Sequence, residues 1–176
     1  PNEKQIGQML ELASSSGISL LDTAPAYGVA EKVIGKILGS SKNFKIITKT
    51  CALSGLSSNQ SPCSEILQTF EQSLSRLKVD QTLGLIVQLP DDLLGPKGDE
   101  VWETLEKIKR TGSTKQIGVS CYKVQEVKQI LTRYPIDLLQ FPFNIFDQDL
   151  ISSGLLEELV KKGITVHTRS TFLQGL

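Results

Sequence analysis

An α/β protein built as a β/α barrel is the fold the sequence predicts, and three observations carry it. Short apolar runs alternate six times with stripes of apolar residues at helical spacing. The runs are apolar on nearly every residue, as parallel strands covered on both faces must be. No Gly-rich phosphate turn follows the first run, as a dinucleotide-binding sheet would require. A doubly wound sheet also fits the first two observations. The barrel, a (β/α)8 TIM barrel of which this chain would cover about six of eight units, is favoured because the unit repeats at roughly 20 to 40 residues with little interruption. A complete barrel of this kind takes about 250 residues. This chain has 176, opens on a helix and stops soon after its sixth strand, so the expectation is one barrel domain over residues 1–176, incomplete at both ends.

The elements follow in order. Ile6, Met9, Leu10 and Ala13 share one helical face, and after Ser14 to Gly17 the period breaks into the strand ISLL. Val33, Ile34, Ile37 and Leu38 make the second stripe, closed by Gly39, and FKIIT is a strand with Lys49 at its end. Ser61 and Pro62 have the character of an N-cap and a first-turn proline, opening a helix whose buried face is Ile66, Leu67, Phe70, Leu74 and Leu77. LGLIVQL is the third strand. A helix carrying Val101, Trp102, Leu105 and Ile108 ends near Gly112, before the strand QIGVS. Val124, Val127, Ile130 and Leu131 form the next stripe, which Pro135 stops before DLLQF; Leu155, Leu156, Leu159 and Val160 form the last, and Gly163 ends it before ITVHT.

Composition narrows the partners. The 19 basic and 19 acidic residues balance, so no overall field draws the chain to nucleic acid or to an anionic membrane, and a small neutral or weakly charged ligand is the natural partner. No apolar stretch reaches the roughly 18 residues of a membrane span, and PNEKQIGQ has no signal-peptide character. Cys51, Cys63 and Cys121 are odd in number and lack the paired spacing of a zinc site, which suits a reducing, cytoplasmic setting and ordinary semi-buried thiols. Nothing in the sequence speaks to oligomeric state.

In a β/α barrel the chemistry gathers where the strands finish. Those ends carry Asp22 with Tyr27 in the following loop, Lys49, Gln88, Ser120 with Cys121, Gln140 with Asn144, and Arg169 with Ser170. A polar side chain at the tip of an apolar strand is costly to bury unless it pairs with a neighbour or a ligand. Each position alone also fits a capping or turn role. Six coincident cases on one rim point to a site.

The segments LDTAPAYG, AEKVIGK, IITKT, IGVSCY, LLQFPFNIFD and FLQGL resemble the aldo-keto reductases in order and spacing, over essentially the whole chain. On that match the chain spans the family's second to seventh strands. The resemblance implies reduction of an aldehyde or ketone to an alcohol by hydride from NADPH. Tyr27 would be the general acid that protonates the carbonyl oxygen. A free phenol, with a pKa of about 10, is a weak donor near neutrality; Lys49 would stabilise the phenolate, and Asp22 would keep the lysine charged and oriented. The fourth catalytic position, usually histidine in the family, is Gln88, whose amide can donate a hydrogen bond but cannot carry a proton charge. The resemblance further implies that Ser120 and Gln140 hold the nicotinamide carboxamide. Cys121 stands where an asparagine is usual. Arg169 takes the place of a stacking aromatic, with Ser170 and the backbone of FLQGL, including Gly175, near the pyrophosphate. His167, the only histidine, does not match the catalytic position and reads as a structural ring with its hydrogen bonds met.

Three other readings stand beside the reductase. A strand-end lysine can form a Schiff base with a carbonyl substrate if desolvation lowers its pKa, although a lysine paired with Asp22 stays charged. Gln88 is compatible with a non-catalytic module that binds NADP(H) without turning it over. An open barrel piece with unpaired edges can also bind nothing by itself. The loops CALSGLSSNQSP and DDLLGPKGD hold no charged cluster that would name a substrate.

Overall fold

The computed structural model describes residues 2–39, 43–54, 61–173 and 175. Six parallel strands, β1 (Leu20–Asp22), β2 (Lys45–Lys49), β3 (Thr82–Val87), β4 (Thr114–Ser120), β5 (Leu138–Pro142) and β6 (Thr165–Arg169), pair strictly in chain order. A doubly wound sheet reverses direction at a switch point and so places its strands out of sequence. Here each strand is followed by its sequence neighbour, the order of an open β/α barrel. The expected helices form as α1 (Glu3–Ser15), α2 (Ala30–Leu38), α3 (Pro62–Leu77), α5 (Gly98–Arg110), α6 (Val124–Leu131) and α8 (Leu155–Lys161). Two single-turn helices add to them, α4 (Asp91–Leu94) and α7 (Asp149–Ser152), each too short to show a period in the sequence.

Helix α3 starts as expected, with Ser61 at its N-cap and Pro62 in its first turn. Ser61 stands at the N-cap of α3 with extended backbone, but its hydroxyl makes no capping bond. The Ser61 carbonyl accepts from the Ser64 hydroxyl at 2.9 Å. A capping box forms at α1, where Asn2 Oδ1 accepts from the Gln5 N–H and Gln5 Oε1 from the Asn2 N–H, both at 2.9 Å.

Strand residues alternate between two environments. Leu85, Val87, Ile117, Val119, Leu139 and Phe141 face outward into the main core with Ile66, Phe70, Leu105, Val127 and Leu159 of the helices. Ile47, Ile86 and Leu138 face inward and form a small cluster of their own. Side chains such as Leu85, Val119 and Leu139 are fully buried, each contributing at most about 1.5–3 kcal/mol. Gly35 brings α2 against α3, because a Cβ there would collide with the Arg76 carbonyl. That approach lets buried Glu31 accept from Arg76 Nε at 2.8 Å, while Thr48 on the outward face of β2 donates to its other oxygen at 2.6 Å. All three cysteines are free. Among the described residues no helix is long and apolar enough to cross a membrane, and no group of acidic, histidine and cysteine side chains could hold a metal ion.

Candidate active site

Parallel neighbours in register point to the same side of a sheet, so the pairings define which side chains share the barrel interior. Asp22 pairs with Ile47, Lys49 with Ile86, Ser120 with Gln140, Gln140 with His167, and Pro142 with Arg169. Ile47 and Ile86 are inward, and so therefore are Asp22 and Lys49. Gln140 and His167 lie on the face of Leu138, two residues along and one strand over. Gln88 follows Ile86 by two.

Lys49 is the anchor of this surface. Its side chain is 1% exposed, yet its ammonium donates to both oxygens of Asp22 at 2.7 Å and to the Thr23 carbonyl at 3.0 Å. All three of its N–H donors therefore have an acceptor, which is what a buried ammonium requires. Asp22 is 37% exposed and also accepts from Gln140 Nε2 at 3.0 Å, across 118 residues of sequence. Tyr27 places its ring over the ammonium, 5.2 Å from Nζ to the centroid, and is itself 49% exposed at the mouth. The chain can return from Asp22 to put Tyr27 there because Gly28 takes φ 60 directly after it, a conformation open to glycine at little cost. Asp22, Tyr27, Lys49 and Gln140 are thus brought together, whereas Glu31 of the same motif turns outward to Thr48 and Arg76.

Gln88 stands just past the end of β3, partly buried. Its backbone N–H donates to Thr50 Oγ1 at 3.1 Å, and its side-chain Oε1 is buried without a hydrogen-bond partner among the described residues. Ser120 is buried on the inner face next to Gln140. Cys121 is one residue further and so points the other way. Its thiol is fully buried in the main core, where desolvation, aided by the charge of Glu126, pushes its pKa well up. Only its backbone stands at the rim, with its N–H donating to the Gln140 carbonyl at 2.9 Å. Asn144 is spent on its own turn, its Oδ1 accepting from the backbone of Phe146 and Asp147 at 2.9 and 3.0 Å. Ser170 and Gly175 lie exposed in the segment after β6, with Ser170 at φ 59.

Two residues of this surface escape a reading by position alone. Tyr122 stacks on Arg169, the guanidinium carbon lying 4.0 Å from the ring centroid. His167 is half-buried on the inner face as the register partner of Gln140, with no ring hydrogen bond to protein among the described residues. Burial lowers its pKa, and the charge of Asp22 opposes that shift. The signal for His167 was present in the period of two, since it precedes inward-facing Arg169 by two residues. No local signal marks Tyr122, which reaches Arg169 from a loop two strands away. A cleft of about 230 Å³ between the segments after β2 and β3 is lined by Leu53, Pro62, Asp92 and Lys97 among others, and its lining does not include Lys49. Burial raises the pKa of Asp92 there.

Acid, lysine, tyrosine and amide groups are thus gathered at the strand ends of a parallel sheet in barrel order. The chain matches the model of the aldo/keto reductase family over residues 1–176, and it belongs to that family. The aldo-keto reductase YhdN of Bacillus subtilis (strain 168) is 29% identical over 161 residues, covering 88% of this chain and 48% of that protein. Among solved structures, aldo-keto reductase AKR11C1 from Bacillus halodurans in its holo form superimposes with a TM-score of 0.81 at 23% identity, over 99% of this chain and 59% of that one. An aldo/keto reductase from Klebsiella pneumoniae in complex with NADP and acetate gives 0.79 at 19% identity, over 98% and 59%. At these identities the structural likeness speaks for the fold. The chain spans about half the length of YhdN.

Proposed function

We propose that this chain carries the catalytic half of an NADPH-dependent carbonyl reductase acting on a small aldehyde or ketone. The observation that carries the reading is Lys49: a fully buried ammonium held by both oxygens of Asp22 and set against the ring of Tyr27. A cation held there favours the negative charge that Tyr27 acquires when it gives its proton to the carbonyl oxygen, and Asp22 keeps that cation in place. Gln140 ties the acid site to the adjoining strand. Its amide nitrogen is engaged by Asp22, which leaves Oε1 to accept from a carboxamide N–H, with the Ser120 hydroxyl next to it in register. The residues fit a nicotinamide cofactor in this respect, and the partnerless Gln88 Oε1 adds a buried acceptor at the same mouth. When bound, NADPH supplies the hydride; the residues of this chain orient the ring, hold the carbonyl and deliver the proton. Arg169, Ser170 and Gly175 line the remaining side.

Gln88 favours one second reading, a module that binds NADP(H) without turnover, because an amide cannot gain charge as the usual histidine can. A fluorescence titration of NADPH, with NADH alongside, followed by NADPH consumption against a panel of reactive aldehydes, separates the two. Binding with consumption that disappears in Tyr27→Phe supports the reductase. Saturable binding with no consumption for any aldehyde overturns it in favour of the module. Borohydride trapping of a substrate adduct on Lys49 would instead establish Schiff-base chemistry.

A further inference from the structure

We propose that Arg169 is an oxyanion-binding residue, the side-on edge of its guanidinium taking the paired oxygens of a carboxylate or phosphate group at the barrel mouth. This goes beyond the stacking role expected of it. It concerns the same mouth as the proposed reductase site, but its test needs neither NADPH nor turnover, so either proposal can fail without the other.

Arg169 Nε and Nη2 are both buried and both without a hydrogen-bond partner among the described residues, and Arg169 joins none of the ion pairs found there. These two nitrogens direct N–H groups along the same edge of the guanidinium, in its plane, the geometry that matches a carboxylate or phosphate with two parallel bonds. The same chain shows that edge in use. Arg76 lies with Nε and Nη2 each 2.8 Å from Glu31 Oε2. Arg169 has the fork without the carboxylate.

The fork is also held in orientation. Tyr122 covers one face of the guanidinium at 4.0 Å, and the backbone carbonyl of Arg169 is pinned by the Phe143 N–H at 3.1 Å. The inward-facing carboxylate of Asp22 is committed to Lys49 and Gln140, so it does not serve Arg169. A buried charge with unmet donors is costly, and an oxyanion that meets both returns that cost on binding. The Tyr122 ring covers a face of the guanidinium and not the in-plane edge at which an oxyanion binds, so the stacking and the proposed contact are compatible. The oxyanion has two natural sources, a phosphate of the cofactor or a carboxylate on the carbonyl substrate.

The experiment is calorimetric titration of the chain with inorganic pyrophosphate and, separately, with pyruvate, using wild type, Arg169→Lys and Tyr122→Ala. Arg169→Lys keeps the charge and removes the fork. The expected result is saturable binding of at least one anion that weakens about tenfold or more in Arg169→Lys, as loss of a charge-assisted bond implies, and severalfold in Tyr122→Ala. Preference for pyrophosphate assigns the fork to the cofactor, and preference for pyruvate assigns it to an acidic substrate. Failure of both anions to bind wild type, or equal affinity in Arg169→Lys, overturns the proposal. A measurement independent of any variant is phenylglyoxal modification of wild type read by mass spectrometry: the anion should protect Arg169, and modification unchanged by either anion overturns the proposal as well.

Discussion

Thr48 and Lys49 are consecutive residues of one strand, and they serve two different charge clusters. Thr48 points outward and, with Arg76, meets the carboxylate of Glu31 between the strand and its helices. Lys49 points inward to Asp22, Thr23 and the ring of Tyr27. In the outer cluster every charged group found there has its partner, and a helix covers it. In the inner region a carboxylate is 37% exposed and a tyrosine half exposed, while buried atoms of Gln88 and Arg169 have no partner among the described residues. A fully matched polar cluster under a helix stabilises a fold. One left open on the mouth side, with donors and acceptors unmet, is arranged to be completed by something else.

Substitutions can sharpen that contrast. The largest effect is expected from Tyr27→Phe, which should lower carbonyl reduction by about a thousandfold, within the range for loss of a positioned general acid, while NADPH affinity and thermal stability hold; steady-state kinetics beside a melting curve would check both. Next is Arg76→Met, which leaves the buried Glu31 carboxylate with only the Thr48 hydroxyl. It should cost about 2 kcal/mol in urea unfolding, less than a fully buried pair because Arg76 is one-third exposed, with NADPH affinity unchanged; a variant that loses cofactor binding while retaining stability would erase the distinction drawn here.

Gln88→His restores a side chain able to carry charge at the end of β3. It should raise turnover about tenfold, at the low end of general acid–base effects, and a rate unchanged or lower would show that Gln88 does not limit the proposed reaction. The smallest effect is at His167. Its folded pKa lies below the ordinary imidazole value, so the unfolded chain binds the proton more readily and stability falls as pH drops below about 6.5. His167→Gln should flatten that acid loss in urea melts compared at neutral and mildly acidic pH, and an unchanged pH dependence would show that His167 does not contribute to it.

How much of this was readable in the chain depends on the range of the interaction. The helices and strands were, because apolar period is a local property and each element buries one stripe or two faces. The rim residues were too, because a polar residue ending an apolar run is visible without knowing its neighbours. Cys121 and His167 show the limit. The motif places Cys121 beside Ser120, but the alternation of β4 turns its thiol into the helix-facing core. His167 sits where periodicity could have put it on the inner face, yet its proximity to Gln140 follows only from the β5–β6 register. The α4 and α7 turns were hidden for a plainer reason, since one turn has no period.

By itself the sequence determined the alternating β/α order, the apolar core and the set of polar groups at the strand ends, all of which follow from residue type and spacing within a few turns of chain. Only the tertiary structure decided which of those groups meet. Asp22 and Gln140 are 118 residues apart and 3.0 Å apart. Arg169 lies against Tyr122 and has its fork left open, while Glu31 of the signature segment belongs to the helix layer. The physical reason is that register and sheet curvature are set by packing summed over the whole barrel, and a single side chain does not encode them.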